Sequence, residues 1–233
     1  MRWRIIPLLQ GVRPVTVEGH VNLQGEIERI FGRDCFTRPV YYNYPGGLRF
    51  ELAESGGMIE RFTTALRKAT EVCTEAFAGE RTLVVCLRSH SSCIGEVTRQ
   101  TLRALGDLNI TIPRQRTLWR ELIEDEPWWD EHAPEYWISL AFELPVSHLQ
   151  ALLWCSMASD TPITPNPSCL LYLFNLPQQL MVWPYDDRGM DVVGPNHARL
   201  EQLYHQYNRY LLDHDRQDMD AVFAGKPAPA GLS

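Results

Sequence analysis

The chain has 233 residues, 45% of them apolar, which suits one domain with a sizeable core. Its formal net charge of −7 argues against a nucleic-acid-binding surface, which shows as a basic patch, and suits a basic protein partner. No run is long and apolar enough for a membrane span, and Met1-Arg2-Trp3-Arg4-Ile5-Ile6-Pro7-Leu8-Leu9 is too short and broken for a signal peptide. A cytoplasmic protein is therefore expected.

The predicted elements start weakly, with no pattern up to Val17. Val21 to Phe31 is amphipathic: Leu23, Ile27, Ile30 and Phe31 share one helical face, and Gly32 stops it. Tyr41-Tyr42-Asn43-Tyr44-Pro45-Gly46-Gly47 is an aromatic loop whose tyrosines suit either ligand stacking or packing over a sheet edge. Leu48-Arg49-Phe50-Glu51-Leu52 alternates strictly, which predicts a strand with one wet face. From Met58 to Phe77, Ile59, Phe62, Leu66, Ala69, Val72 and Ala76 keep the helical period. Thr82 to Leu87 is a continuous apolar and β-branched run, the pattern of a strand covered on both faces. A helix around Glu96 to Leu105 follows.

Glu135 to Leu144 alternates as a strand that Pro145 stops, and Val146 to Met157 reads as a helix. Cys169 to Phe174 and Leu180 to Trp183 are strands joined at Asn175-Leu176-Pro177-Gln178. After a short Val192-Val193 strand, Leu200, Leu203, Tyr204, Tyr207 and Leu211 form the stripe of a late helix, and a shorter one spans Arg216 to Phe223. The sum is an α/β (α+β) layered domain, a mixed and mostly antiparallel sheet of about six strands flanked by helices. Residues 41–224 would form the main domain, 1–40 an extension with a short helix packed on it, and 225–233 a flexible tail.

Two stretches carry the candidate chemistry. In Tyr185-Asp186-Asp187-Arg188-Gly189-Met190-Asp191, three carboxylates and a guanidinium sit between apolar runs. They suit a cation or acid/base site, or a structural turn in which aspartates bond to the turn's own amides and Arg188 pairs with one of them; the structural reading is preferred. The second is acidic and aromatic: Glu121, Glu124, Asp125, Glu126, Asp130 and Glu131 surround Trp128 and Trp129. Tryptophans ringed by carboxylates have the composition of a partner-binding surface, a buried anchor with a charged rim.

Enzyme signatures are missing from the sequence. There is no phosphate-binding glycine loop after a strand, no G-x-S-x-G elbow and no histidine pair at helical metal spacing. The six cysteines form no C-x-x-C pair and read as reduced core thiols. A non-enzyme without metal or other cofactor is expected.

Gly47-Leu48-Arg49-Phe50-Glu51-Leu52, the Tyr185 to Asp191 run preceded by Leu173-Phe174-Asn175, and Leu203-Tyr204-His205-Gln206-Tyr207-Asn208 with Asp213-His214-Asp215-Arg216 resemble a bacterial family, domain of unknown function 3885. The likeness runs from about Tyr41 to Phe223 and brings no catalytic residues with it. It implies a context, since related domains occur as immunity proteins in polymorphic-toxin and contact-dependent secretion systems; that is association rather than physics. The function so implied is a cytoplasmic immunity protein that occludes the active site of a cognate secreted toxin, such as a nuclease effector of a type VI system. Neither nucleic acid nor membrane would be a partner. The alternative is a metal-dependent hydrolase using Asp186, Asp187 and Asp191.

Overall fold

In the computed structural model, which describes residues 22–91, 94–123 and 135–225, helix α1 (Leu23–Phe31) opens at Asn22, whose side chain accepts from the Gly25 amide at 3.0 Å. Gly32 closes it at φ +85°, a conformation that favours glycine, with its own amide donating to the Glu28 carbonyl. Strand β1 (Leu48–Glu51) and helix α2 (Met58–Ala76) follow a 3-10 turn at Val40–Asn43. Next come β2 (Thr82–Ser91), α3 (Ile94–Asp107), β3 (Arg116–Leu122), β4 (Tyr136–Pro145) and α4 (Leu149–Met157). The chain continues through β5 (Leu170–Asn175), β6 (Leu180–Pro184), β7 (Gly189–Val193), α5 (His197–Gln206) and α6 (Arg216–Phe223).

The strands form one seven-stranded sheet in the order β1-β7-β6-β5-β2-β4-β3, and every neighbouring pair is antiparallel. The α+β class therefore holds, with one strand more than the pattern suggests. The extra strand is β3, whose exposure alternates along its length because it sits at the sheet edge. β1 and β2 point the same way, but β7, β6 and β5 lie between them, so the β1-α2-β2 unit makes no parallel pair.

Alternation along the strands divides the core in two. Leu48, Phe50, Val85, Leu87, Phe142, Leu171, Leu173, Val182, Met190 and Val192 face α2, α4, α5 and α6 in one large cluster. Val84, Cys86, Ala141, Tyr172, Phe174, Met181, Trp183 and Val193 face the other way, against Leu23, Ile27, Phe31, Cys35, Phe36 and Val40. The first face is thickly covered by helices. Among the described residues the second is covered by α1 and the segment after it, and a cleft lies beside that cover.

The two sheet edges differ. Outside β1, the Leu212 amide donates to the Arg49 carbonyl at 2.9 Å and Leu211 bridges Phe50, so the chain covers its own edge. At the other edge β3 has β4 as its strand neighbour and exposes Leu118 and Leu122. Two local expectations change. β1 has no wet face, since Arg49 is buried with Leu48 and Phe50. The late helix stops at Gln206, and Leu211 lies beyond it in extended chain. Among the described residues no helix is long and apolar enough to cross a membrane.

Candidate functional site

The aspartate-rich turn between β6 and β7 does not gather its carboxylates. Asp186 accepts from the Arg188 amide at 2.7 Å and from Arg188 Nε at 2.8 Å, and Arg188 Nη2 reaches the same oxygen. Asp187 accepts from Arg61 Nη2 on α2 at 2.7 Å. Asp191, fully buried on the opposite face of the sheet, pairs with Arg49 on β1 and accepts from the Tyr41 amide at 3.0 Å. Each carboxylate has its own arginine, drawn from a different element. Gly189 closes the turn because a side chain there would strike the Tyr185 ring, its hydroxyl oxygen only 1.8 Å from the place of a Cβ.

Arg49 joins this turn to the chain's end. Its Nη1 donates to Asp215 at 3.1 Å, Tyr42 donates its hydroxyl to the same carboxylate, and the rings of Tyr41 and Tyr42 each lie 4.8 Å from the guanidinium. Burial alone would lower the Arg49 pKa, but the hydrogen bond and charge of Asp191 outweigh it and raise it. Tyr41 and Tyr42 of the aromatic loop therefore pack around a buried cation at the sheet margin, while Tyr44 donates its hydroxyl to the Phe31 carbonyl.

Beside this cluster, on the face covered by α1, lies a cleft of about 730 Å³. Its wall carries Arg38, Arg49, Arg88 and Arg188 against Asp160 and Asp186, with Trp137, Trp183 and Tyr185 as its aromatic surface. Strand register explains the grouping. His90 is opposite Trp137, Trp137 opposite Glu121, and Arg88 sits between Ser139 and Leu170, so these side chains share one face across β3, β4, β2 and β5. A second cavity, of about 480 Å³, shares Arg38, Arg88 and Trp137 with the first.

Arg88 is the most constrained member. It is 8% exposed, with its guanidinium 4.5 Å from the Phe36 ring and 5.1 Å from that of Trp137. Its Nη2 lies 2.6 Å from Glu121 but out of hydrogen-bonding alignment, and Nη1 has no partner among the described residues. Arg38, exposed, stacks on the same indole at 5.3 Å and pairs with no carboxylate among the described residues. His90 meets Glu135 at 2.6 Å. Trp183 Nε1 is also buried without a partner.

This arrangement can hold an anion. It offers little to nucleophilic chemistry, since the five described cysteines are buried and burial pushes their thiols up, Cys35 and Cys155 to about 12. Among the described residues no group of three or more His, Cys, Asp or Glu is placed to hold a metal ion.

Of the acidic and aromatic stretch, Glu121 lies on β3 and turns inward to Arg88. Glu124, Asp125, Glu126, Trp128, Trp129, Asp130 and Glu131 lie outside the described residues. The residues that sequence reasoning passed over are Arg38, Arg88 and Trp137. A charged residue inside the apolar run that ends in Cys86-Leu87-Arg88 was the available signal.

The family model described as a domain of unknown function matches residues 23–215, which takes in α1 and stops short of α6. No curated protein and no solved structure matches the chain.

Proposed function

Taking as premise that the chain belongs to the domain of unknown function DUF3885 family, we propose that it is a cytoplasmic immunity protein. It binds a cognate secreted toxin of a type VI or other contact-dependent secretion system and occludes the toxin's active site, without catalysis of its own. The observation that carries this reading is the sheet edge at β3, which has no strand beyond it among the described residues. β3 presents Leu118, 58% exposed, and Leu122, 43% exposed, and ends two residues before Glu124, where the acidic stretch with Trp128 and Trp129 continues. Apolar anchors beside a carboxylate-rich rim suit the basic cleft of an enzyme that attracts phosphate, such as a nuclease. The net charge of −7 adds long-range attraction to such a partner.

The hydrolase alternative has less support, because Asp186, Asp187 and Asp191 are each bonded to a separate arginine. The test is calorimetry of the full chain against the toxin domain encoded beside it. The immunity reading expects tight binding and loss of toxin activity on mixing, with Leu118→Asp and Trp128→Ala/Trp129→Ala each weakening affinity more than about tenfold while the fold persists. Unchanged affinity in both variants would show that the edge and its neighbouring stretch are not the contact, and an absence of any binding would remove the immunity reading.

A further inference from the structure

The arginine-lined cleft lies on the sheet face that Glu121 turns towards, away from the exposed Leu118 and Leu122 of the toxin contact proposed above. We infer that it is a binding site for a small phosphate-bearing ligand of nucleotide size, with its phosphate between Arg38 and Arg88 and its organic part along the rest of the cleft wall. The cleft's wall carries four arginines, and carboxylates in the wall or just behind it, Asp186, Asp191, Asp215 and Glu121, answer three of them, so what matters is which N–H groups are left over. Two of those arginines are committed elsewhere, Arg49 to Asp191 and Asp215 and Arg188 to Asp186. Arg88 meets Glu121 through Nη2 and keeps Nη1 without an acceptor, and Arg38 pairs with no carboxylate, among the described residues.

Arg88 is buried to nine-tenths, yet its Nη1 has no acceptor and its contact with Glu121 is misaligned. A buried guanidinium with an unmet donor costs stability unless something completes it. Both guanidinium groups lie against the Trp137 ring, Arg38 at 5.3 Å and Arg88 at 5.1 Å, so the unmet Nη1 donor of Arg88 and the exposed Arg38 fork are held on one wall. A tetrahedral phosphate carries three terminal oxygens and up to two charges, enough to accept from both guanidinium groups at once.

The volume of about 730 Å³ is far larger than an inorganic anion needs and falls in the range of small-molecule sites. The remaining wall mixes Pro39, Leu170, Trp183 and Tyr185 with Ser89, His90, Ser159 and Ser168, which suits a ligand with a flat ring and several hydroxyls such as a nucleoside.

The experiment uses the full chain, with calorimetry and thermal shift against inorganic phosphate, AMP, ADP and the dicarboxylate succinate. Saturable binding of AMP or ADP that is tighter than phosphate, falling by about tenfold or more in Arg38→Gln, is the expected result. Arg38 is exposed, so that variant keeps the fold, and Arg88→Lys provides a second variant that retains charge but loses the fork. No saturable binding of any phosphate compound, binding of equal strength in wild type and Arg38→Gln, or preference for succinate over AMP would each overturn the assignment.

Discussion

Arg49 and Asp191 face each other in the β1–β7 register and close a two-point ion pair, 2.8 Å from Nε to Oδ1 and 3.2 Å from Nη2 to Oδ2. The pair is shut off from water, with Asp191 fully buried and Arg49 at 8% exposure. Because Asp191 also accepts from the Tyr41 amide and Arg49 also reaches Asp215, one contact ties the aromatic loop, the sheet margin and the C-terminal turn together.

Breaking that pair from one side leaves the other charge buried and alone, which costs about 3–5 kcal/mol. Asp191→Ala and Arg49→Ala should therefore each lower denaturant stability by that order. The double change to Arg49→Met with Asp191→Leu should cost less than the sum of the single changes, because neither member of the pair is left behind and Asp215 keeps the Tyr42 hydroxyl. Urea unfolding of the three variants checks this, and additive losses would show that the two residues are not coupled.

Gly189 is a matter of space. A Cβ at that position would overlap the Tyr185 hydroxyl, and it would also lie 3.0 Å from the backbone oxygen of Phe50. Gly189→Ala should destabilise by about 1–3 kcal/mol through overpacking. Adding Tyr185→Ala removes the larger obstacle, so thermal unfolding of the double variant should recover part of the loss due to Gly189→Ala when compared with Tyr185→Ala alone.

The turn carboxylates should act on stability and not on metal affinity. Asp187 is buried against Arg61, and Asp187→Ala should cost about 1–3 kcal/mol by leaving that guanidinium without its acceptor. Titration of the protein with magnesium, manganese or calcium should give no heat that depends on Asp186, Asp187 or Asp191. A saturable heat lost in Asp186→Ala would restore the hydrolase reading.

Element boundaries were legible wherever one residue type filled one face for several turns or pleats. α2 and β4 follow their hydrophobic period to within about two residues. β3 escaped because its sequence, Arg-Thr-Leu-Trp-Arg-Glu-Leu, lines neither core continuously, and an edge strand need not. The burial of Arg49 escaped for a different reason. A polar residue in an alternating strand reads as solvent-facing, and what buries this one is an aspartate 142 positions away. The cleft was illegible on the same grounds, since Arg38, Arg88, Trp137 and Trp183 come from four separated stretches, three placed on one face by the sheet and Arg38 brought over it by the segment after α1.

Acidity should tune the opposite margin of β1. Burial first, and then the hydrogen bond and charge of Glu54, push the Glu51 carboxyl up from an ordinary value of 4.5 to about 7, with Asp213 adding to the rise and Lys68 opposing it. The folded chain thus holds this proton more tightly than the unfolded one does. Its contribution to stability is fully present below about pH 4.5 and is lost as the pH rises through about 7. Glu54→Gln removes the like charge, so the variant should gain stability over the wild type as pH rises from about 5 to 8, with little difference at the acid end. Thermal melts of both proteins across that window provide the check, and a difference that does not change with pH would mean that Glu54 does not govern the titration of Glu51.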